Sequence, residues 1–288
     1  MTPVSVSPAP APLALVAGRG ALPGRVLAAC EAAGRPVTVC GVAGYEAELP
    51  RNDRPVRLET LGSLIGALRA AGVREVCLCG AVQRPAIDPA AIDAATWPLM
   101  ERLQGALAAG GDDAALRLLV GVFEEAGLRV LGAHDLAPDL LPLEGVPTRA
   151  RPGDAHGPDA GRGAAVLAAL GRADLGQACV VRAGQVIAVE ALPGTDWMLQ
   201  SLAATPPDLP SALARGGLLY KAPKPGQDRR VDLPAIGPRT IAGAARAGLD
   251  GVVIEAGGVI VVDLPATVAE ADAAGLFLWV RRAQPEPE

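Results

Sequence analysis

Lysine is almost missing from this chain of 288 residues. Of 26 basic side chains only two are lysines, Lys221 and Lys224, and every other one is arginine. Aromatic residues make up only 2% of the sequence, so Ala, Val, Leu and Ile must fill any core. An excess of positive charge is absent too. The net charge of −5 argues against a nucleic-acid binder, whose footprint would be basic. The five cysteines (Cys30, Cys40, Cys77, Cys79, Cys179) are odd in number and form no CxxC pair. They read as small buried hydrophobes in a reducing compartment. A zinc site would have to be completed by His134 and His156. No apolar run is long enough for a membrane span. The start, "MTPVSVSPAPAPLALVAG", lacks a positive segment and is broken by prolines, unlike a signal peptide. The expectation is a soluble cytoplasmic protein. A transient contact with the cytoplasmic face of the inner membrane (a peripheral location) and a homodimer are both compatible with it.

What is present is enough apolar residue, 50% of the chain, for two packed cores, and the length favours two domains. The first half alternates strand and helix. Strands are expected at 13–17, 36–42, 74–80 and 128–133, and helices from the "GRGALPGR" turn through residue 33 with Pro23 near the start, over 60–72, near 96–109 and near 112–126. Short apolar strands between helices imply α/β architecture with a covered parallel sheet. Residues 141–163 are rich in Pro, Gly and charge and read as a connection between a domain over 1–140 and another over 164–288. In the second domain "ACVVRAGQVIAVEA" and "GVVIEAGGVIVVD" read as strand pairs joined by tight turns. Helices are expected near 194–204, 239–248 and 265–275. That grammar is α+β, with a mixed sheet.

Several stretches carry candidate chemistry. "AGRGALPG" places Gly18, Gly20 and Gly24 directly after the first strand, where backbone N–H groups could approach a phosphate. The spacing is GxGxxxG rather than GxGxxG, and no carboxylate closes the second strand before Glu46. Phosphate binding and a plain tight turn both remain open. "GAVQRP" puts Gln83 and Arg84 in a loop at a strand C-terminus, where such sheets bind ligands. "GGDDA" sets Asp112 and Asp113 at an expected helix start, which capping alone could explain. "VEALPGTDWM" ends an apolar strand with Glu190 and opens a helix at Thr195 and Asp196. Capping does not account for Glu190, nor for Glu255 in "IEAGG", because an acid in an apolar strand needs a partner or a role.

The strongest signal is "KAPKPGQDRRVDLPAIG", residues 221–237. Both lysines lie here, interrupted by prolines and followed by Asp228 and Asp232. An ammonium is a compact point charge suited to phosphate oxygens, whereas Arg presents a planar fork. Two carboxylates nearby suit Mg²⁺, which is held by one or two carboxylates plus substrate phosphates. Lysines for phosphate beside aspartates for metal are the parts of phosphoryl or nucleotidyl transfer.

"LVAGRGALP", "GAVQRP", "GGDDA", "GAHDL", "GTD" and "KAPKPGQDxRVDLPxIGPxT" together resemble the LpxI family, over about residues 13–282. Ala81 stands where a second glycine or similar small residue is expected. The resemblance implies a magnesium-dependent hydrolase of lipid A biosynthesis. It would cleave the diphosphate of UDP-2,3-diacylglucosamine to UMP and 2,3-diacylglucosamine 1-phosphate (lipid X). It implies a Rossmann-like N-terminal domain and a catalytic C-terminal domain. By motif, Asp228 is the catalytic aspartate, with Lys221 and Lys224 beside it. Gly18, Arg19, Gly20, Gln83, Arg84, Asp112, Asp113, Glu190, Thr195, Asp196 and Gln227 would contact substrate, and Asp228 with Asp232 would hold Mg²⁺. Two other readings remain: an NAD-dependent oxidoreductase, favoured by the glycine-rich turn, and a non-catalytic sugar-nucleotide-binding protein.

Overall fold

The computed structural model describes residues 10–82, 87–204, 208 and 210–283, with backbone alone at 107–113 and 212. The chain forms two compact units. One comprises the chain up to Pro138 together with Asp228–Asp232, and the other Asp139–Gln227 with the chain from Leu233 onward.

The first unit runs β1 (Leu13–Ala17), α1 (Leu22–Ala32), β2 (Val37–Gly41), α2 (Leu61–Ala70), β3 (Glu75–Cys79), α3 (Trp97–Glu125), β4 (Arg129–Leu131) and α4 (Ala133–Leu136). Its sheet has the order β2-β1-β3-β4 and is parallel throughout. All five residues of β1 are buried, as expected of a parallel strand covered on both faces. On α2 the residues Leu61, Leu64, Ile65 and Leu68 are buried, the face their spacing predicts. They pack with Val76, Phe123, Leu128 and Val130. Buried Glu75 receives both Arg35 and Arg129, so one carboxylate ties together the starts of β2, β3 and β4.

Helix α3 is assigned helical throughout its 29 residues, where two helices are expected from the sequence. Yet Arg102 grips Glu125 through both guanidinium nitrogens, at 2.9 and 2.8 Å. A straight helix would separate these residues by about 34 Å. The helix therefore folds back on itself between them. Met100 and Leu103 from one arm share a cluster with Ala115 and Leu118 from the other. Asp112 and Asp113 lie within this helical stretch, and their side chains fall outside the described residues.

The second unit contains α5 (His156–Arg172), β5 (Ala178–Arg182), β6 (Gln185–Val189), α6 (Gly194–Ala204), α7 (Ser211–Ala214), β7 (Leu218–Lys221), β8 (Ala235–Ile236), α8 (Pro238–Arg246), β9 (Gly251–Glu255), β10 (Ile260–Val261), α9 (Leu264–Ala274) and β11 (Phe277–Arg281). The main sheet has the order β11-β9-β7-β5-β6. Strands β11, β9 and β7 are parallel, and β5 runs against both β7 and β6. Alternation along β7 decides which face each residue serves. Leu218 and Tyr220 pack with Ala160 and Leu167 of α5. Leu219 faces the other way, with Leu199 of α6 and Ile241 of α8. Lys221 shares that second face.

Two expectations change here. Strands β9 and β10 do not form a hairpin. Strand β9 is flanked by β7 and β11, so both of its edges are taken, and β10 pairs in parallel with β8. The stretch 141–163, expected as a connection, folds with the second unit, and its last eight residues open α5. Its polar residues have packing partners. Asp159 is 3% exposed and accepts the backbone N–H groups of Ala183 and Gly184 at 3.0 and 2.6 Å. Those two residues have φ of 46° and 77° and form the tight β5–β6 turn. Gly163 lies against Tyr220, whose Cβ is 2.6 Å from where a Cβ on residue 163 would stand.

Asp159→Ala should remove both charge-assisted hydrogen bonds that hold the β5–β6 turn and destabilise the protein by about 1–3 kcal/mol. Asp159→Asn keeps one acceptor oxygen and should lose less. Thermal unfolding of both variants checks this; an unchanged midpoint for Asp159→Ala would contradict it.

Candidate active site

Lys221 is the last residue of β7 and is 8% exposed. Its Nζ donates to Thr195 Oγ1 at 2.7 Å, and that hydroxyl donates onward to Glu190 Oε1 at 2.9 Å. Glu190 Oε2 accepts the Gln177 N–H at 3.0 Å. Four residues from three segments thus form one polar chain inside the second unit. Burial pulls the Lys221 ammonium below its ordinary pKa, and the charges of Glu190 and Asp196 act against that pull. Asp196 is exposed and pairs with Arg239 at 2.8 Å.

Beyond β7 the proline-rich loop lies in close packing. A Cβ on Gly258 would stand 2.9 Å from Pro223 Cδ, and one on Gly171 would stand 2.4 Å from Pro225 Cδ. These glycines let the loop lie tightly against the end of α5 and the β9–β10 turn. Lys224 Nζ reaches Asp174 at 2.6 Å. A turn follows, in which Gln227 Oε1 accepts the Lys224 N–H at 3.0 Å and the Gln227 N–H reaches the Lys224 carbonyl at 3.3 Å.

Asp228–Asp232 then belong to the first unit. Val231 packs on that unit's core. Arg230 spans Asp228 and Glu124, with Nε on Oδ1 at 3.0 Å, a terminal nitrogen on Oδ2 at 2.7 Å and the other on Glu124 at 2.6 Å. The Arg230 guanidinium holds the Asp228 carboxyl below its usual range. The Asp232 N–H returns to the Asp228 carbonyl at 3.1 Å, so the two expected metal ligands occupy one turn.

In the same unit, Gly18 lies against the chain at Gly80–Ala81, where a Cβ would meet the Ala81 oxygen at 2.8 Å. Arg19 and Ala81 exchange backbone hydrogen bonds at 3.0 and 2.9 Å. The close approach of those two segments requires glycine at 18. The Arg19 guanidinium reaches the Gly44 carbonyl at 2.6 Å and covers the Tyr45 ring. Gly20 has φ of 100°, with open space where a Cβ would be. Gln83 and Arg84 lie outside the described residues, as do the side chains of Asp112 and Asp113.

The structure therefore brings together Lys221, Thr195 and Glu190 in one chain, Lys224 with Gln227 in one turn, and Asp228 with Asp232 in another. Sequence reasoning missed Arg230 and Asp174, which organise Asp228 and Lys224. Arg230 sits two residues from Asp228 inside the quoted motif, so its signal was available. Asp174 carries none, since fifty residues separate it from its partner.

Family models for the LpxI N-terminal domain and the LpxI C-terminal domain match residues 12–140 and 143–279. This chain belongs to the LpxI family. It is similar to UDP-2,3-diacylglucosamine pyrophosphatase LpxI of Caulobacter vibrioides, with 42% identity over 275 residues, covering 92% of this chain and 96% of the relative. The family assignment carries an enzymatic reading with it, that of a hydrolase acting on a diphosphate bond.

A depressed carboxyl pKa contributes stability above the unfolded value of about 3.9 and loses it as pH falls through the folded value. Arg230→Ala, studied in EDTA, should therefore be less stable than the parent at neutral pH. That gap should close in acid once Asp228 is protonated. Unfolding midpoints at both pH values check it; a pH-independent gap would mean that Arg230 acts through packing alone.

Proposed function

We propose that this chain hydrolyses the diphosphate of UDP-2,3-diacylglucosamine, releasing UMP and 2,3-diacylglucosamine 1-phosphate, with Mg²⁺ as cofactor. The observation that carries the reading is the 42% identity, over 92% of the chain, to a relative bearing that substrate in its name. The supporting chemistry is the concentration of both lysines and two aspartates within residues 221–232. Water adds to one phosphorus of the anhydride and the bridging P–O bond breaks, so charge grows on the phosphoryl oxygens. Lys221 and Lys224 supply positive charge to the diphosphate, and Asp228 orients water. Its carboxyl is held ionised by Arg230, which makes it a weak proton acceptor at neutral pH and favours an orienting role.

The donor set fits a hard cation. Among the described residues no group of three or more His, Cys, Asp or Glu side chains is placed to hold a metal. Mg²⁺ needs only one or two carboxylates when phosphate oxygens and water complete its shell. Asp228 keeps lone pairs beyond those given to Arg230, and Asp232 is one turn away. Bound there, the metal would neutralise developing phosphoryl charge.

No helix among the described residues is long and apolar enough to cross a membrane. All five cysteines are unpaired, as suits the reducing cytoplasm in which this reading places the enzyme. The acyl chains would be shielded by apolar protein surface, at roughly 0.8 kcal/mol per buried CH₂.

Incubating the protein with UDP-2,3-diacylglucosamine should release UMP with Mg²⁺ and not in EDTA. Asp228→Ala should turn over about 10²-fold more slowly while still retaining substrate. No UMP under either condition would remove the proposal. Near-normal turnover by the variant would remove Asp228 from the mechanism.

A further inference from the structure

Glu190 and Thr195 carry motif positions that suggest substrate contact, but their geometry points inward. Thr195 is 7% exposed, and its hydroxyl donates to Glu190 and accepts from Lys221. Its proton is committed to the carboxylate, so its lone pair faces the ammonium. The second Glu190 oxygen is fixed by the Gln177 N–H, which stops the carboxylate from rotating away. We infer that Glu190 and Thr195 are positioning residues, which hold the Lys221 ammonium in place at the end of β7 and keep it charged. The inference rests on the proposed role of Lys221 at the diphosphate.

The surroundings support it. In the sheet Lys221 is flanked by Ala178 of β5 and Ile254 of β9, both apolar. Cys179, Tyr220 and Glu255 alternate onto the opposite face. From α6 the charged neighbour is Asp196, itself paired with Arg239 of α8. Glu190 is therefore the carboxylate joined to the ammonium through a single hydroxyl. Without that charge, burial would drive the proton off Lys221, and a neutral amine offers the phosphate no cationic charge.

The chain contains two lysines, so protein labelled only in lysine gives two side-chain NMR signals, and Lys224→Arg assigns them. In Glu190→Gln the Lys221 signal should titrate at least about one pH unit lower than in the parent. The alkaline limb of kcat should move with it, leaving activity recoverable at lower pH. Thr195→Val should behave likewise, and Thr195→Ser should restore the parent profile. A Lys221 titration unmoved in Glu190→Gln overturns the inference, whatever the activity. A raised KM with an unmoved pH profile also overturns it, because Glu190 would then touch substrate. A moved lysine titration with an unmoved rate profile keeps the positioning role and removes Lys221 from the proposed chemistry.

Discussion

A buried ammonium at the end of β7 is the constraint around which this site is organised. An unpaired charge in that position would be strongly unfavourable. Strand alternation directs Lys221 to the face that carries α6. The β6–α6 connection then provides a hydroxyl and a carboxylate in sequence, Thr195 and Glu190. The turn that supplies them depends on Gly194, with φ of 86°. Gln177, just before β5, closes the arrangement from the other side. An arginine would not fit the same role. Its planar fork is too large for one hydroxyl acceptor, and its charge is not adjustable by burial over the same range.

The loop after Lys221 extends the same logic by different means. Prolines remove backbone freedom, and glycines at 171 and 258 allow close packing against them. Lys224 is oriented by Asp174, and the turn from Lys224 to Gln227 leads to Asp228, where a second turn begins. The segment from 228 to 232 then leaves the second unit and packs with the first. Arg230 anchors it to Glu124 of α3. The aspartate proposed to orient water is thus fixed by residues of a different unit from the one that fixes the lysines.

Much of this was legible in the sequence. Apolar strands alternating with helices specified the parallel sheet, and the lysine pair marked the segment from 221 to 232. Pairing choices were less visible. "GVVIEAGGVIVVD" has the grammar of a hairpin, and only the neighbours on both sides of β9 prevent one. The glycines and charges of residues 156–163 look like a connection because their partners, Tyr220 and the β5–β6 turn, are remote in sequence. Glu190 stood out as an acid in an apolar context. The side chain linked to it through Thr195 lies thirty-one residues away, on another strand, so that contact appears only in three dimensions.

The central claim is that the two lysines meet the diphosphate. Titrating lysine-labelled Asp228→Ala protein with UDP-2,3-diacylglucosamine while following the two side-chain signals tests it most directly. The account predicts that both signals shift and saturate together with bound substrate, Lys224 as it exchanges Asp174 for phosphate and Lys221 as phosphate reaches its ammonium. Substrate binding that leaves both signals unmoved would contradict it.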